Sequence, residues 1–221
     1  MPHSNQSAPD SPRIALTNPT PANLTLTLAI TGASGSLFAA EMLRALHSDP
    51  RVAHIDLIPS EAALRVFAEE MHLSGRTNLA DKLLDAPPTA GKILQHAEAD
   101  IAANVASGSY PSNIMIVLPC TMGTLAGIDN GMASNLIERA ADVCLKERRP
   151  LVLCVRETPF NRIHLRNMQL AAEAGATIFP VMPTLYNHPQ TTTEMARNFV
   201  NRVLAHIGLP QPNAYVWQPN D

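Results

Sequence analysis

Apolar residues fall along this chain in two rhythms. Near-continuous apolar runs occupy 24–30 (LTLTLAI), 114–118 (IMIVL) and 151–155 (LVLCV), with weaker ones at 54–59 and 176–179. Runs of this kind read as strands covered on both faces. Longer segments separate them, and in these the apolar positions return at the helical interval: 36–47, 61–71, 133–147, 162–174 and 192–207. Residues 119–123 turn the 114–118 strand into helical sequence. Buried strands alternating with helices predict an α/β fold, a doubly wound, mostly parallel sheet with helices on both faces.

Between 73 and 112 the period is lost. Gly75, Pro87, Pro88 and Gly91 interrupt it, and only 92–103 suggests a weak strand or short helix. Excursions of this kind beside a sheet edge serve as lids or subunit contacts. The ends differ again. Residues 1–23 carry Pro2, Pro9, Pro12, Pro19 and Pro21 among Ser, Asn and Thr, with almost nothing apolar to bury. Residues 210–221 are rich in Pro, Asn and Gln; Trp217 is the exception, expected to dock on a surface or a neighbouring subunit. A single domain at 24–209 between two tails follows.

Composition removes several classes of function. A chain of this length buries roughly 70% of its unfolded surface and needs no staples. Lys+Arg number 16 against 19 Asp+Glu, a net charge of −3, so the basic face of a nucleic-acid binder is not expected. No apolar run approaches the roughly 18 residues of a membrane span, and a basic-then-apolar leader pattern is missing at the start. Cys120, Cys144 and Cys154 lie in or beside apolar runs and read as small buried residues of a reducing compartment. The eight His show no metal-ligand spacing and the cysteines form no C-x-x-C, so no metal site is expected.

Five constellations remain as candidate chemistry. Thr31-Gly32-Ala33-Ser34-Gly35-Ser36 follows a strand and opens a helix, where turning glycines and free amides hold an anion. It is neither a G-x-G-x-x-G nor a Walker loop, so a mononucleotide phosphate fits it better; a plain capped turn is the other reading. Pro119-Cys120-Thr121-Met122-Gly123-Thr124 ends another strand, and the two loops are expected to face one crevice. Arg139 and Lys146 stand two helical turns apart on one helix face. Residues 139–166 hold seven of the 16 basic residues, suiting a phosphate-bearing ligand or a solvated face. Arg156 and Glu157 offer a cation and a proton-moving carboxylate just past a strand. Tyr186 and Arg202 could together hold an oxyanion.

TGASGS, PCTMGTLAG, NLIERAADVCLKERRPLVL and RETPF together resemble the flavin prenyltransferases of the UbiX/Pad type, from about Leu24 to Pro210. The resemblance implies a Rossmann-like subunit that binds FMN. It implies a metal-independent transfer of a dimethylallyl group from dimethylallyl phosphate to N5 and C6 of reduced FMN. The prenylated product would serve a partner decarboxylase, and the enzyme would be a cytoplasmic homo-oligomer, a dodecamer. Carried over by motif, Gly32, Ala33, Ser34, Ser60, Thr121, Met122, Gly123, Thr124 and Arg156 would hold FMN. Ser107, Gly108, Arg139, Lys146, Tyr186 and Arg202 would hold the donor phosphate. Glu157, Ser34, Glu70 and Arg139 would be catalytic, Glu157 as acid–base at the phosphate. Ile101 stands where an aromatic over the prenyl group is expected, and Met122 where a small polar residue is usual. Two other readings are a non-catalytic FMN carrier and a related flavoprotein decarboxylase.

Overall fold

The computed structural model describes residues 23–73, 78–84, 88–212 and 214–215; nearly all of the expected N-terminal tail, and Trp217, lie outside them. Six strands form one sheet: β1 (Leu24–Ile30), β2 (Val52–Pro59), β3 (Ile93–Gln95), β4 (Ile114–Cys120), β5 (Leu151–Val155) and β6 (Thr177–Ile178). Their order is β3-β2-β1-β4-β5-β6, and every pairing is parallel. The helices are α1 (Ser36–Ser48), α2 (Glu61–Met71), α3 (Leu79–Leu83), α4 (Met122–Asp129), α5 (Leu136–Lys146), α6 (Arg162–Glu173) and α7 (Thr192–His206).

Alternate residues of the central strands feed two cores. Leu26, Leu28 and Ile30 of β1 point to one face and pack with Met42 and Leu43 of α1 and Phe199 and Val203 of α7. Ala29 of β1, Val117 of β4 and Val155 of β5 point to the other, against Leu125 of α4 and Ile137 and Ala141 of α5. Because both faces are covered, β4 and β5 are buried along their whole length, which is why they read as unbroken apolar runs. Phe199 presents its ring edge-on to Phe38 at 5.4 Å and Phe179 at 5.6 Å, pinning α7 over the sheet.

Several boundaries differ from the sequence reading, each for a local reason. The helix expected at 133–147 begins at Leu136, because the Asn135 side chain accepts the Glu138 amide as an N-cap. The strand expected at 114–118 runs to Cys120; its pairing with β5 slips between Val117 and Cys120, where Pro119 cannot donate. The 176–179 strand shrinks to Thr177–Ile178 at the sheet edge. The opposite edge is β3, three residues from the region left as strand or helix, with the Leu94 side chain exposed.

The order of strands reverses between β1 and β4. In a parallel sheet this leaves a crevice at the carboxyl ends of the two strands, where ligands bind.

Candidate active site

The four central strands end in loops that are hydrogen-bonded to one another. Thr31, buried at the end of β1, donates its hydroxyl to the Pro119 carbonyl at 2.8 Å and accepts the Thr121 amide at 2.8 Å. The Ser60 amide donates to the Ile30 carbonyl at 2.9 Å, and the Arg156 amide to the Cys120 carbonyl at 3.1 Å. Ser60, the 31–36 loop, the 121–124 loop and Arg156 thus form one continuous rim. Thr31, its central rivet, heads the candidate loop in the sequence but has no assigned role there; a threonine at the end of an apolar strand is the available signal.

Within the rim, Gly32 lies so close to α2 that an added Cβ would stand 2.4 Å from the Ala62 Cβ. Gly35 adopts φ +132, which side-chain-bearing residues rarely reach, and so opens α1. The first amides of α1 are taken by Glu70: Gly35 donates to it at 3.1 Å and Ser36 at 2.8 Å. Burial pushes the Glu70 pKa up. Hydrogen bonds from the Ser34 and Ser36 side chains and from the Gly35 and Ser36 amides outweigh it and hold the carboxyl below its ordinary range. Ser34 and Glu70, expected to act together, are therefore brought together, with Glu70 ionised at neutral pH.

The start of α2 is likewise occupied, by Ser60 accepting the Ala63 amide at 3.0 Å and Glu98 accepting the Glu61 amide at 2.9 Å. The start of α4 differs. Thr121 caps the Thr124 amide at 3.1 Å, but among the described residues the Met122 and Gly123 amides have no partner. A Cβ on Gly123 would meet nothing nearer than 3.9 Å, so the space beside those amides is open. Met122 buries its side chain in the core and offers only backbone to the crevice. Open amides at a helix start, an open glycine and the Ser34 and Thr124 hydroxyls fit a polar, phosphate-bearing flavin.

The candidate substrate groups fall into two sets. Arg156 and Glu157 line a cavity of about 330 Å³ with Phe160 and Met182. Tyr186 and Arg202 line an adjoining one of about 740 Å³, also bordered by Met182. Glu157 is exposed and accepts the Thr158 amide at 2.8 Å. The second set stands on the other face of the sheet. Arg139 of α5 donates to the Ala106 carbonyl at 3.1 Å and pairs with Asp142 at 2.6 Å. Lys146 pairs with Glu147 directly over Gly108, where a Cβ would lie 2.5 Å from the lysine nitrogen. One chain therefore joins Arg156, Glu157, Tyr186 and Arg202, and separately joins Arg139, Lys146, Ser107 and Gly108.

The thiols take no part. Burial pushes Cys120 up to about 12 and Cys144 up to about 11, and burial, with Cys120 nearby, raises Cys154 well above the ordinary thiol range, so none supplies a thiolate. Among the described residues no group of three or more His, Cys, Asp or Glu is placed to hold a metal ion, and no helix is long and apolar enough to cross a membrane.

Known proteins resemble the chain over most of its length. The Flavoprotein family model matches residues 17–207. Flavin prenyltransferase UbiX of Salmonella typhimurium strain LT2 is 44% identical over 188 residues, 85% of this chain and 94% of that protein. A dodecameric FMN-dependent UbiX-like decarboxylase from Escherichia coli O157:H7 superposes with a TM-score of 0.79 at 40% identity, over 89% of this chain and 100% of that one. AnUbiX (PadA1), solved in complex with FMN and dimethylallyl pyrophosphate, gives 0.80 at 36% identity, over 90% and 100%. The family match covers residues 17–207, from the first strand through the last helix, and on that breadth the chain belongs to the Flavoprotein family, among its UbiX-type flavin prenyltransferases.

Proposed function

We propose that the protein joins the dimethylallyl group of dimethylallyl phosphate to N5 and C6 of reduced FMN, and that a partner decarboxylase uses the prenylated flavin. The observation that carries this reading is the shared border of two cavities at the rim: Arg156 and Glu157 on one side of Met182, Tyr186 and Arg202 on the other. Reduced FMN supplies the nucleophilic ring atoms; the rest is the work of the chain. The open amides of Met122 and Gly123, with Gly32, Ala33, Ser34, Ser60, Thr121 and Thr124, orient the flavin along the rim.

A departing phosphate carries about two negative charges, and guanidinium and phenol donors stabilise it as the C–O bond breaks. Arg202 and Tyr186 fill that role from the α7 side, with Arg156 at the end of β5. Arg139 and Lys146, with the Ser107 and Gly108 turn, suit it chemically but stand on the other face. They reach the same phosphate when a second copy of the chain presents its α5 at the rim. That makes the active enzyme a homo-oligomer, and a dodecamer is the assembly named for the E. coli relative. Glu157, exposed and, among the described residues, tethered by the Thr158 amide alone, exchanges protons with the phosphate. Ionised Glu70 takes the proton of the Ser34 hydroxyl in a hydrogen bond, leaving the serine oxygen free to accept one near the flavin. Three buried, unpaired thiols suit a cytoplasmic enzyme.

The test is anaerobic incubation with reduced FMN and dimethylallyl phosphate, followed by mass spectrometry of the released flavin. A gain of one C5 unit is the expected result. Flavin that is bound but unmodified with both phosphate and pyrophosphate donors would replace this reading with an FMN carrier.

A further inference from the structure

We propose that Arg149 is a positioning residue for the donor-phosphate site: its guanidinium clips the 107–110 turn against α5, so that Gly108 stays seated beneath Lys146. This rests on the placement of Ser107, Gly108, Arg139 and Lys146 at that phosphate.

The position of Arg149 is fixed by how α5 ends. Arg148 takes the left-handed conformation, φ +55, and its amide donates to the Leu145 carbonyl at 3.1 Å. The Arg149 amide reaches back to the Cys144 carbonyl at 2.8 Å, closing a Schellman turn. From there the planar fork spans two carbonyls of a distant segment, Gly108 at 2.6 Å and Tyr110 at 2.9 Å. A guanidinium can donate to both at once, whereas a lysine ammonium is a point charge on a flexible stem.

What the clip holds is the backbone on which both basic residues of α5 rest. Arg139 donates to the Ala106 carbonyl at 3.1 Å. Gly108 lies so near the Lys146 and Glu147 heads that a Cβ would come within 2.5 Å of the lysine nitrogen. The exposed Ser107 and Ser109 hydroxyls meet at 2.9 Å beside it. The far side of the turn is anchored independently, by the Tyr110 hydroxyl donating to buried Asp56 at 3.0 Å. Without Arg149 the Tyr110 anchor persists, but the carbonyls of Gly108 and Tyr110 lose their shared donor, and the fit between Gly108 and Lys146 loosens. The effect belongs on donor binding and not on the FMN rim, which lies on other loops.

The experiment is steady-state prenylation of reduced FMN by the full chain and by Arg149→Gln, Arg149→Lys and Lys146→Ala, with amide exchange measured over 106–110 and 121–124. Arg149→Gln should raise KM for dimethylallyl phosphate about tenfold while kcat and FMN affinity stay within about twofold. Its 106–110 amides should exchange faster and its 121–124 amides should not. Arg149→Lys should lie nearer the Gln variant than the wild type; full recovery would assign the effect to charge and overturn the clip. An unchanged KM in Arg149→Gln while Lys146→Ala raises it also overturns the clip and leaves the site reading standing. An unchanged KM in both removes the donor phosphate from this turn and the proposal with it. Should Arg149→Gln fail to fold, Arg149→Lys carries the same measurements: a raised KM with faster 106–110 exchange supports the clip, and wild-type values for both overturn it.

Discussion

Replacing Gly32 by alanine tests how tightly the rim is built. The new methyl would stand 2.4 Å from the Ala62 Cβ, 3.2 Å from its carbonyl carbon and 3.3 Å from its Cα. Carbon atoms rest about 3.5–4.0 Å apart, so more than about 1 Å must be found. α2 cannot easily give it, because Ser60 ties the helix start to β1 at 2.9 Å and caps its third amide at 3.0 Å. The displacement falls on the 31–36 loop, which also carries the Glu70 bonds. Overpacking of this kind costs about 1–3 kcal/mol. For a domain of this size each kcal/mol lowers Tm by about 2–4 °C. Urea denaturation and a fluorescence titration with FMN should both register the change. Ala62→Gly removes the 2.4 Å clash and leaves only the two backbone contacts, at about 0.5–1 kcal/mol for the helix glycine itself. The double variant should therefore be more stable than the sum of the singles predicts, by at least about 1 kcal/mol. Simple additivity within about 0.5 kcal/mol would show that Gly32 is not held by Ala62 and would refute the reasoning.

Three further outcomes are expected. Glu157→Gln should bind FMN with wild-type affinity yet lose prenylation in a single-turnover assay; unchanged turnover would remove Glu157 from the chemistry. Asp49 accepts the Arg51 side chain at 2.9 and 2.6 Å and Gln211 at 3.0 Å, and those Arg51 bonds, against burial, bring it to about 2. Its folded pKa lies below its unfolded one, so its contribution of about 2 kcal/mol is full above pH 4 and is lost as pH falls toward 2. Asp49→Asn should flatten the urea midpoint against pH in that window, and an unaltered slope would discount the pair. Finally, Ellman's reagent should label none of Cys120, Cys144 and Cys154 in the native protein and all three in guanidinium; rapid native labelling would mean an opening near the sheet that the fold does not show.

What was legible in the sequence was whatever depended on neighbours along the chain. β1, β4 and β5 are buried on both faces and therefore carry no polar interruption strong enough to hide them. β3 was left open between a weak strand and a short helix at 92–103, because three residues at an edge with Leu94 exposed have too little pattern to decide. The rim loops announced themselves through Gly32, Gly35 and Gly123, whereas the bonding roles of Thr31 and Arg149 did not. Their partners are backbone carbonyls 88 and about 40 residues away, and a carbonyl leaves no mark in a sequence. The spacing of Arg139 and Lys146 placed both on α5, but nothing along the chain said which face of the sheet α5 covers.

That face follows from topology once the strand order is known, and it carries the last prediction. Right-handed crossovers moving from β1 to β2 and from β4 to β5 run in opposite directions across the sheet, so α1 and α5 must cover opposite faces. α7, after β6, returns to the α1 face through Phe199. Arg202 on α7 and Arg139 on α5 are therefore divided by the sheet in every copy of the chain. If the proposed site takes Arg202 from one copy and Arg139 from another, Arg139→Ala and Arg202→Ala proteins should each lose activity. Mixed under conditions that let subunits exchange, they should regain it, since about a quarter of the sites then draw both arginines from intact helices. A site contained within one chain cannot be complemented in this way. Activity that stays at the level of the separate variants after demonstrated exchange would refute the shared site and require a rearrangement that brings α5 to the rim of its own subunit.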